Sequence, residues 1–365
     1  MSGERIDTSN GSREAHWVVV KSDHDLDDWG AQAVAPSAWR SDVAPDRRGR
    51  VVRVDRGECD VITSEGRIRV LSDSQRAQSE VAPVTGDWVE LAEIEGLGIV
   101  IERVLPRVTA VSRRDPAERD LEQVLASNVD VVGAVLGLDR PIQPGWLERL
   151  LVMALDSGAG AVVVLTKADA ADDHTAALAI VEAVADEVPV MVTSVLDGRG
   201  LDALVDSIGA GRTLALLGES GAGKSSLVNA LVGHEVLEVG EVRASDAEGR
   251  HTTTARELVL LPDDAGLVLD TPGIRTLGLW EAEHALDLVF GDLVERAADC
   301  RFRDCAHHQE PGCAIREAVE RGDVSAMRVT LFLELVVELE SLRRREEERQ
   351  RRQGRGGGGR RGRRR

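Results

Sequence analysis

A chain of 365 residues with 42% hydrophobic side chains is long enough for two or three domains with sizeable cores. Its formal charge of −19 excludes a general polyanion binder but not a local basic patch, because the sign is uneven along the chain. With 2% aromatics and no tyrosine, stacking platforms for bases must be few, and arginine is the expected partner of any nucleic acid.

The chain opens with an acidic arm, residues 1–45, rich in Ser, Asp and Gly. It has neither the basic start nor the apolar centre of a signal peptide, and no apolar run approaches the length of a membrane span. A soluble, cytoplasmic protein is expected. Trp17, Trp29 and Trp39 are the arm's only large anchors and are expected to dock it onto the next domain.

Residues 46–107 alternate in short segments: Arg50 to Val54, Cys59 to Thr63, Arg67 to Leu71, Asp87 to Leu91 and Gly98 to Val104. Turn signals at Arg56-Gly57, Glu65-Gly66 and Thr85-Gly86-Asp87 separate them. Five strands of period two predict a small OB-like β-barrel of the oligonucleotide-binding type. Arg47, Arg48, Arg50, Arg53, Arg56, Arg67 and Arg69 make its first strands basic, which suits either an RNA-facing side or the solvent face of a half-buried sheet. Cys59 reads as core.

After a link near Pro106 to Asp120, residues 113–280 follow the βαβ alternation of a doubly wound α/β domain. Val129 to Leu138 is a buried strand, Trp146 to Leu155 a helix, Ala161 to Leu165 a strand and Thr175 to Ala185 a helix. Thr166-Lys167-Ala168-Asp169 ends that second strand. The Asp169 carboxylate can accept both N1–H and N2–H of guanine, a pair that adenine does not offer, and so selects GTP over ATP. Lys167 would lie along the base and pack on the phosphate loop. The chain has three lysines, Lys21, Lys167 and Lys224, and two of them fall where a compact ammonium is needed. Ser194-Val195, after Val190 to Thr193, is placed to close over the guanine O6.

The apolar run Leu214 to Leu217 leads into Gly218-Glu219-Ser220-Gly221-Ala222-Gly223-Lys224-Ser225-Ser226 and then a helix. This spacing is a P-loop: the glycines let backbone N–H groups turn inward on phosphate oxygens, and the helix N-terminus adds positive potential. Lys224 reaches the β- and γ-phosphates, acting on the reacting group, and Ser225 is placed to ligate Mg²⁺. Downstream, His251-Thr252-Thr253-Thr254 offers Thr253 to complete the Mg²⁺ shell. The strand Leu267 to Asp270 ends in an acid for the Mg²⁺ water shell, and the Gly273 N–H would sense the γ-phosphate. Ile274 stands where many GTPases place a glutamine to hold the attacking water. Slow intrinsic hydrolysis is therefore expected, with the water positioned by His251 or by a bound partner, although His251 also reads as a turn residue. The base-reading motif precedes the P-loop, the reverse of the ordinary order, so the domain is a circularly permuted P-loop GTPase domain.

Residues 281–342 read as a C-terminal zinc-binding helical module. Cys300, Cys305, His307 and Cys313 lie within fourteen residues, a donor set suited to one structural, tetrahedral Zn²⁺; disulfides are the rival in an oxidising compartment. His308 is read as a neighbour, and Arg301 and Arg303 could meet phosphate. A helix from Val324 to about Leu342 is expected to turn Met327, Leu331, Leu335, Leu339 and Leu342 inward. Residues 343–365 carry twelve arginines against three glutamates, net +9, and read as a disordered tail, either an RNA tether or a solubility device.

A basic barrel, then TKAD, TSV, GESGAGKSS, HTTT and DTPGI in that order, and finally CRFRDCAHHQEPGC, closely resemble the bacterial ribosome-small-subunit-dependent GTPase family, ribosome biogenesis GTPase A, over roughly Arg47 to Leu342. The resemblance implies hydrolysis of GTP to GDP and phosphate stimulated by the 30S subunit, binding to 16S rRNA near the decoding region, and a role in late 30S maturation. A monomer is expected. The chain departs from the family in Thr166, which replaces the commoner asparagine and is expected to weaken the bridge to the P-loop. The rival reading is an RNA-binding assembly scaffold that holds GTP as a structural ligand with little turnover.

Overall fold

The computed structural model describes residues 25–55, 57–71, 81–114, 122–170, 173–185, 188–237, 256–271, 273 and 283–356. His251, Thr253, Ile274, Trp17 and Arg56 lie outside them.

Alternating side chains fold the first module into β1 (Arg48–Val54), β2 (Glu58–Thr63), β3 (Gly66–Leu71), β4 (Trp88–Ile94) and β5 (Gly98–Val104). Antiparallel pairing runs β1–β2–β3, β3 lies parallel to β5, and β5–β4 and β4–β1 close the barrel. That order is the OB-like topology. The inward positions Val51, Cys59, Val61, Ile68, Val70, Val89, Leu91 and Ile101 form its core, where burial pushes the Cys59 thiol up to about 12.

The barrel arginines are matched by the chain's own acids. Arg53 pairs with Asp55 and Glu257, Arg67 with Asp60 and Glu257, Arg69 with Asp55, Glu58 and Asp60, and Arg47 with Glu93. These pairs set Arg53, Arg67 and Arg69 on an ion-paired sheet face. Arg50, 2% exposed, leaves the barrel to bond the Trp29 and Asn128 carbonyls and the Thr213 hydroxyl, with its guanidinium 5.2 Å from the Trp88 ring centroid. Trp29 is buried and Trp39 meets Trp88 edge-on at 6.1 Å, so both anchor the arm as expected.

The described part of the link contains a strand. β6 (Ala110–Arg114), within it, pairs antiparallel with β7 (Glu122–Ser127), just beyond it, and the register of the pair shifts between Val111 and Ser112. The α/β domain follows with β8 (Val131–Gly137), α1 (Pro144–Asp156), β9 (Gly160–Thr166), α2 (Thr175–Val184), β10 (Val190–Val192) and α3 (Leu201–Ile208). It continues with β11 (Thr213–Gly218), α4 (Lys224–Val232), β12 (Glu257–Leu260) and β13 (Leu267–Asp270). Strands β10, β9, β8, β11 and β13 are parallel neighbours in that order, and β12 adds antiparallel to β13. Helices cover both faces: Leu204, Ile208, Leu227 and Val228 on one side, Leu147, Leu150 and Leu151 on the other. The sheet does not stop at the domain edge, because β12 also pairs with β1 at Arg53↔Glu257, giving one ladder of eleven strands.

The C-terminal module is α5 (Glu283–Val289), α6 (Gly291–Ala297), α7 (Ala314–Arg321) and α8 (Ala326–Gly356). Its α5 and α8 pack on α1, where Arg328 reaches Glu148 at 3.1 Å, and its own Phe290 and Phe332 rings lie 5.4 Å apart. Two expectations are corrected. Met327 is 64% exposed, because the apolar stripe of α8 passes through position 328, where arginine bonds Glu148, the Val289 carbonyl and Asp292. The expected disorder from Arg343 does not begin there: α8 runs to Gly356, since arginine favours helix and Glu347 sits four residues from both Arg343 and Arg351. Residues 357–365 lie outside the described ones.

Candidate functional site

The P-loop leaves β11 where the parallel strands end, the edge at which open α/β sheets bind ligands. A side chain at Gly218 would sit 2.4 Å from the Val135 carbonyl, and Gly223, at φ +91°, caps α4 in the left-handed region. Both positions need glycine for the loop to curl. Lys224 is buried, and its ammonium donates to the Gly218 and Glu219 carbonyls at 2.9 Å each. Burial pulls it below the ordinary lysine value, while Asp270 and Glu219 oppose the shift. An ammonium held by two carbonyls is poised to exchange one of them for a phosphate oxygen.

Ser225, on the first turn of α4, donates its hydroxyl to Asp270 Oδ2 at 2.7 Å across the β11–β13 pair. Asp270 is 3% exposed and its Oδ1 has no hydrogen-bond partner among the described residues. Burial raises its carboxyl above the usual range, against the pull of Ser225 and Lys224. A buried carboxylate oxygen without a donor beside a hydroxyl is the hard-oxygen set that suits Mg²⁺. When bound with nucleotide, the ion would draw charge from the phosphates. Gly273 lies against the loop, where a Cβ would come 2.6 Å from Ser220 Cα, and the Thr271 hydroxyl is tied to the Leu216 carbonyl at 2.6 Å.

The base-reading stretch and the P-loop meet directly. Thr166 Oγ1 donates to the Ala222 carbonyl at 2.5 Å, and its separation from the Leu136 carbonyl is 3.3 Å. Threonine thus makes a bridge to the P-loop here, and a Cβ at Gly223 would stand 3.2 Å from its hydroxyl. Lys167, at φ +58°, lays its ammonium on the Gly221 carbonyl at 2.7 Å. Ala168 is buried, with its N–H on the Thr193 carbonyl. Asp169 Oδ1 accepts from Ser194 Oγ at 2.5 Å, which brings the Ser194-Val195 loop to the same carboxylate. Val195 is 39% exposed at the rim.

Sequence reasoning missed Asp139 and Arg140, just beyond β8. Asp139 Oδ2 accepts from Lys167 Nζ at 2.8 Å, and Arg140 lies 3.9 Å from the Glu219 carboxylate and donates to the Gly221 carbonyl. The available signal was positional, an Asp-Arg pair at the end of a parallel strand. Ser226 continues α4, while Thr253 and His251 fall outside the described residues and keep the standing of sequence expectations.

Some distance along the chain, the Sγ atoms of Cys300, Cys305 and Cys313 and a ring nitrogen of His307 all lie within 4.8 Å of one another. The Cys300–Cys313 sulfurs are 4.0 Å apart, and His307 Nδ1 is 3.6 and 3.5 Å from them. Those separations suit four donors around one tetrahedral ion, and the donor chemistry fits Zn²⁺. His307 reaches its place through φ +61°, and Cys313 also caps α7.

Comparison with known proteins agrees with this geometry. A family model described as RsgA GTPase matches residues 104–280. The chain is 41% identical over 335 residues to the small ribosomal subunit biogenesis GTPase RsgA of Streptomyces coelicolor, covering 91% of this chain and 89% of that one. Against the protein of the same name from Leptospira interrogans it is 39% identical over 294 residues, covering 80% and 82%. Among solved structures, YjeQ from Thermotoga maritima superposes with a TM-score of 0.56 at 27% identity, covering 80% of this chain and 98% of that one. YloQ, titled a circularly permuted GTPase, shares the fold at a TM-score of 0.54 and 22% identity, covering 83% and 98%.

Proposed function

The chain belongs to the RsgA GTPase family, and from that premise we propose that its GTP hydrolysis is switched on by the small ribosomal subunit and serves late maturation of that particle through contact with 16S rRNA. The observation that carries this reading is the pair of hydrogen bonds from Thr166 and Lys167 to Ala222 and Gly221, which join the base-reading and phosphate-binding segments into one site. Within it, Asp169 selects guanine, Ser194-Val195 closes on its O6, Gly218 to Ser226 cradle the phosphates, and Lys224 neutralises charge on the transferred group. Ser225, Asp270 and Thr253 hold Mg²⁺, and Gly273 reports the γ-phosphate. The Cys300, Cys305, His307 and Cys313 cluster holds a structural zinc. The enzyme works as a monomer in the cytoplasm. No helix among the described residues is long and apolar enough to cross a membrane.

Ile274 gives the water nothing to bond, which is why the stimulus is assigned to the particle, with His251 as the chain's own candidate for positioning it. The same isoleucine favours a second reading, a scaffold that holds GTP without turnover. Single-turnover phosphate release with and without purified small subunits decides between them. The expected result is a rise of at least tenfold with the particle; equal, near-zero rates would support the scaffold.

A further inference from the structure

The loop between the first two candidate zinc donors carries the one exposed phenylalanine or tryptophan ring among the described residues. Trp29, Trp88, Phe290 and Phe332 are buried and Trp39 and Trp146 are half-buried, whereas Phe302 is 42% exposed. In a chain with three phenylalanines and no tyrosine, leaving one in water forgoes a core contact that little else can supply. The loop holds the ring out. Arg301 donates its backbone N–H to the Gly312 carbonyl at 3.0 Å, and the Cys305 N–H reaches back to the Phe302 carbonyl at 3.3 Å. Gly312 has φ +73°, and a Cβ there would stand 3.1 Å from the Arg301 Cβ, so the approach depends on glycine.

The flanking charges are not matched by acids. The Arg301 guanidinium lies 5.5 Å from the Phe302 ring centroid, and among the described residues neither it nor Arg303 makes an ion pair. The barrel arginines, by contrast, are answered by Asp55, Glu58, Asp60, Glu93 and Glu257. The acids near the loop do not neutralise it. Glu310 accepts from the backbone N–H groups of Ala306, His308 and Gln309, and Asp304 pairs with neither arginine.

A ring held in solvent between two guanidinium groups that make no ion pair matches single-stranded nucleic acid, in which a splayed base stacks on the ring and its phosphates meet the cations. We propose that Arg301-Phe302-Arg303 is an RNA contact in which Phe302 stacks on an unpaired base while Arg301 and Arg303 hold the adjoining phosphates. This rests on the ribosomal RNA partnership proposed above and adds where and how the chain grips it.

The test measures binding of the full chain to a single-stranded RNA containing 2-aminopurine and, separately, to purified small subunits. F302L keeps an apolar side chain without the ring and should weaken RNA binding about tenfold and remove the fluorescence quench, whereas F302W should retain both. Bound zinc and intrinsic GTP hydrolysis should match the parent. R303Q should flatten the slope of log affinity against log salt by about 0.7, the loss of one single-strand phosphate contact, and it carries the test should F302L lose zinc. Affinities of F302L and F302W within twofold of the parent would overturn the contact, even while the parent still bound the particle. Weaker binding of F302L to the particle but not to RNA would assign the ring to a protein and overturn it as well. A parent chain that bound neither ligand would defeat the contact and the ribosomal reading together.

Discussion

Asp169 meets Ser194 at 2.5 Å while its neighbours Thr166 and Lys167 hold the phosphate loop, so the carboxylate is fixed from both sides. Exchanging it for an amide reverses one hydrogen-bonding direction and leaves the fold in place. Asp169→Asn should cost GTP at least tenfold in affinity and recover it with xanthosine triphosphate, read by competition binding; unchanged GTP preference would remove Asp169 from base recognition. Glu148 gives a pH signature. It is 1% exposed beside Arg328, and burial, reinforced by Asp292, pushes its carboxyl up to about 7. The folded state therefore binds this proton more tightly than the unfolded chain. The resulting stability is fully present below about pH 4.5 and is lost as pH rises through about 7. Relative to the parent, Glu148→Gln should gain on the order of 2 kcal/mol between pH 5 and pH 8, read from denaturant midpoints at each pH. At this scale the phosphate loop was legible in the sequence, because a fixed spacing of glycine, lysine and serine admits few other uses. The ion pairs of Arg53 and Arg67 were not, because their partner Glu257 lies roughly two hundred residues away in sequence.

At the scale of elements, the strands and helices of the α/β domain stood out by period and motif, and β13 lies over the residues its pattern predicts. The hairpin β6–β7 and the helices α3, α5, α6 and α7 did not, since each is short and β6–β7 has a register shift that interrupts alternation. The cysteine–histidine cluster was legible by spacing. Because Cys313 both offers a thiolate and caps α7, removing an ion held there should loosen that helix. Treatment with a strong zinc chelator should lower the Tm by roughly 5 °C or more, and added Zn²⁺ should restore it. A Tm insensitive to chelation, with no zinc found by metal analysis, would remove the ion from the account. The ion pairs of the basic barrel strands were not legible either, because the acids that meet Arg67 and Arg69 lie on other strands, β2 and β12.

Across the whole molecule the charge is divided. Residues 343–365 hold +9 in a chain of −19, so the remainder is more acidic than the total suggests. A polyanion that approaches this GTPase is repelled by most of its surface and attracted at one end. Leu342 is the last buried side chain among the described ones of α8, so truncation after it keeps every described core residue. The truncated chain should bind RNA at least tenfold more weakly at low salt, with a shallower salt dependence, and should hydrolyse GTP alone at the parent rate. Equal slopes for the two chains would relegate these arginines to solubility.

The rung Arg53↔Glu257 has one more implication. Glu257 follows the segment carrying His251 and Thr253 by only a few residues, and the Arg256 carbonyl just before it is 3.3 Å from the Thr85 hydroxyl of the barrel module. At this rung the barrel and the α/β domain share one sheet, and the next strand over from β12 is β13, which ends in Asp270. A load on the barrel at Arg53 therefore meets the strand that carries Asp270 through only one intervening strand, β12.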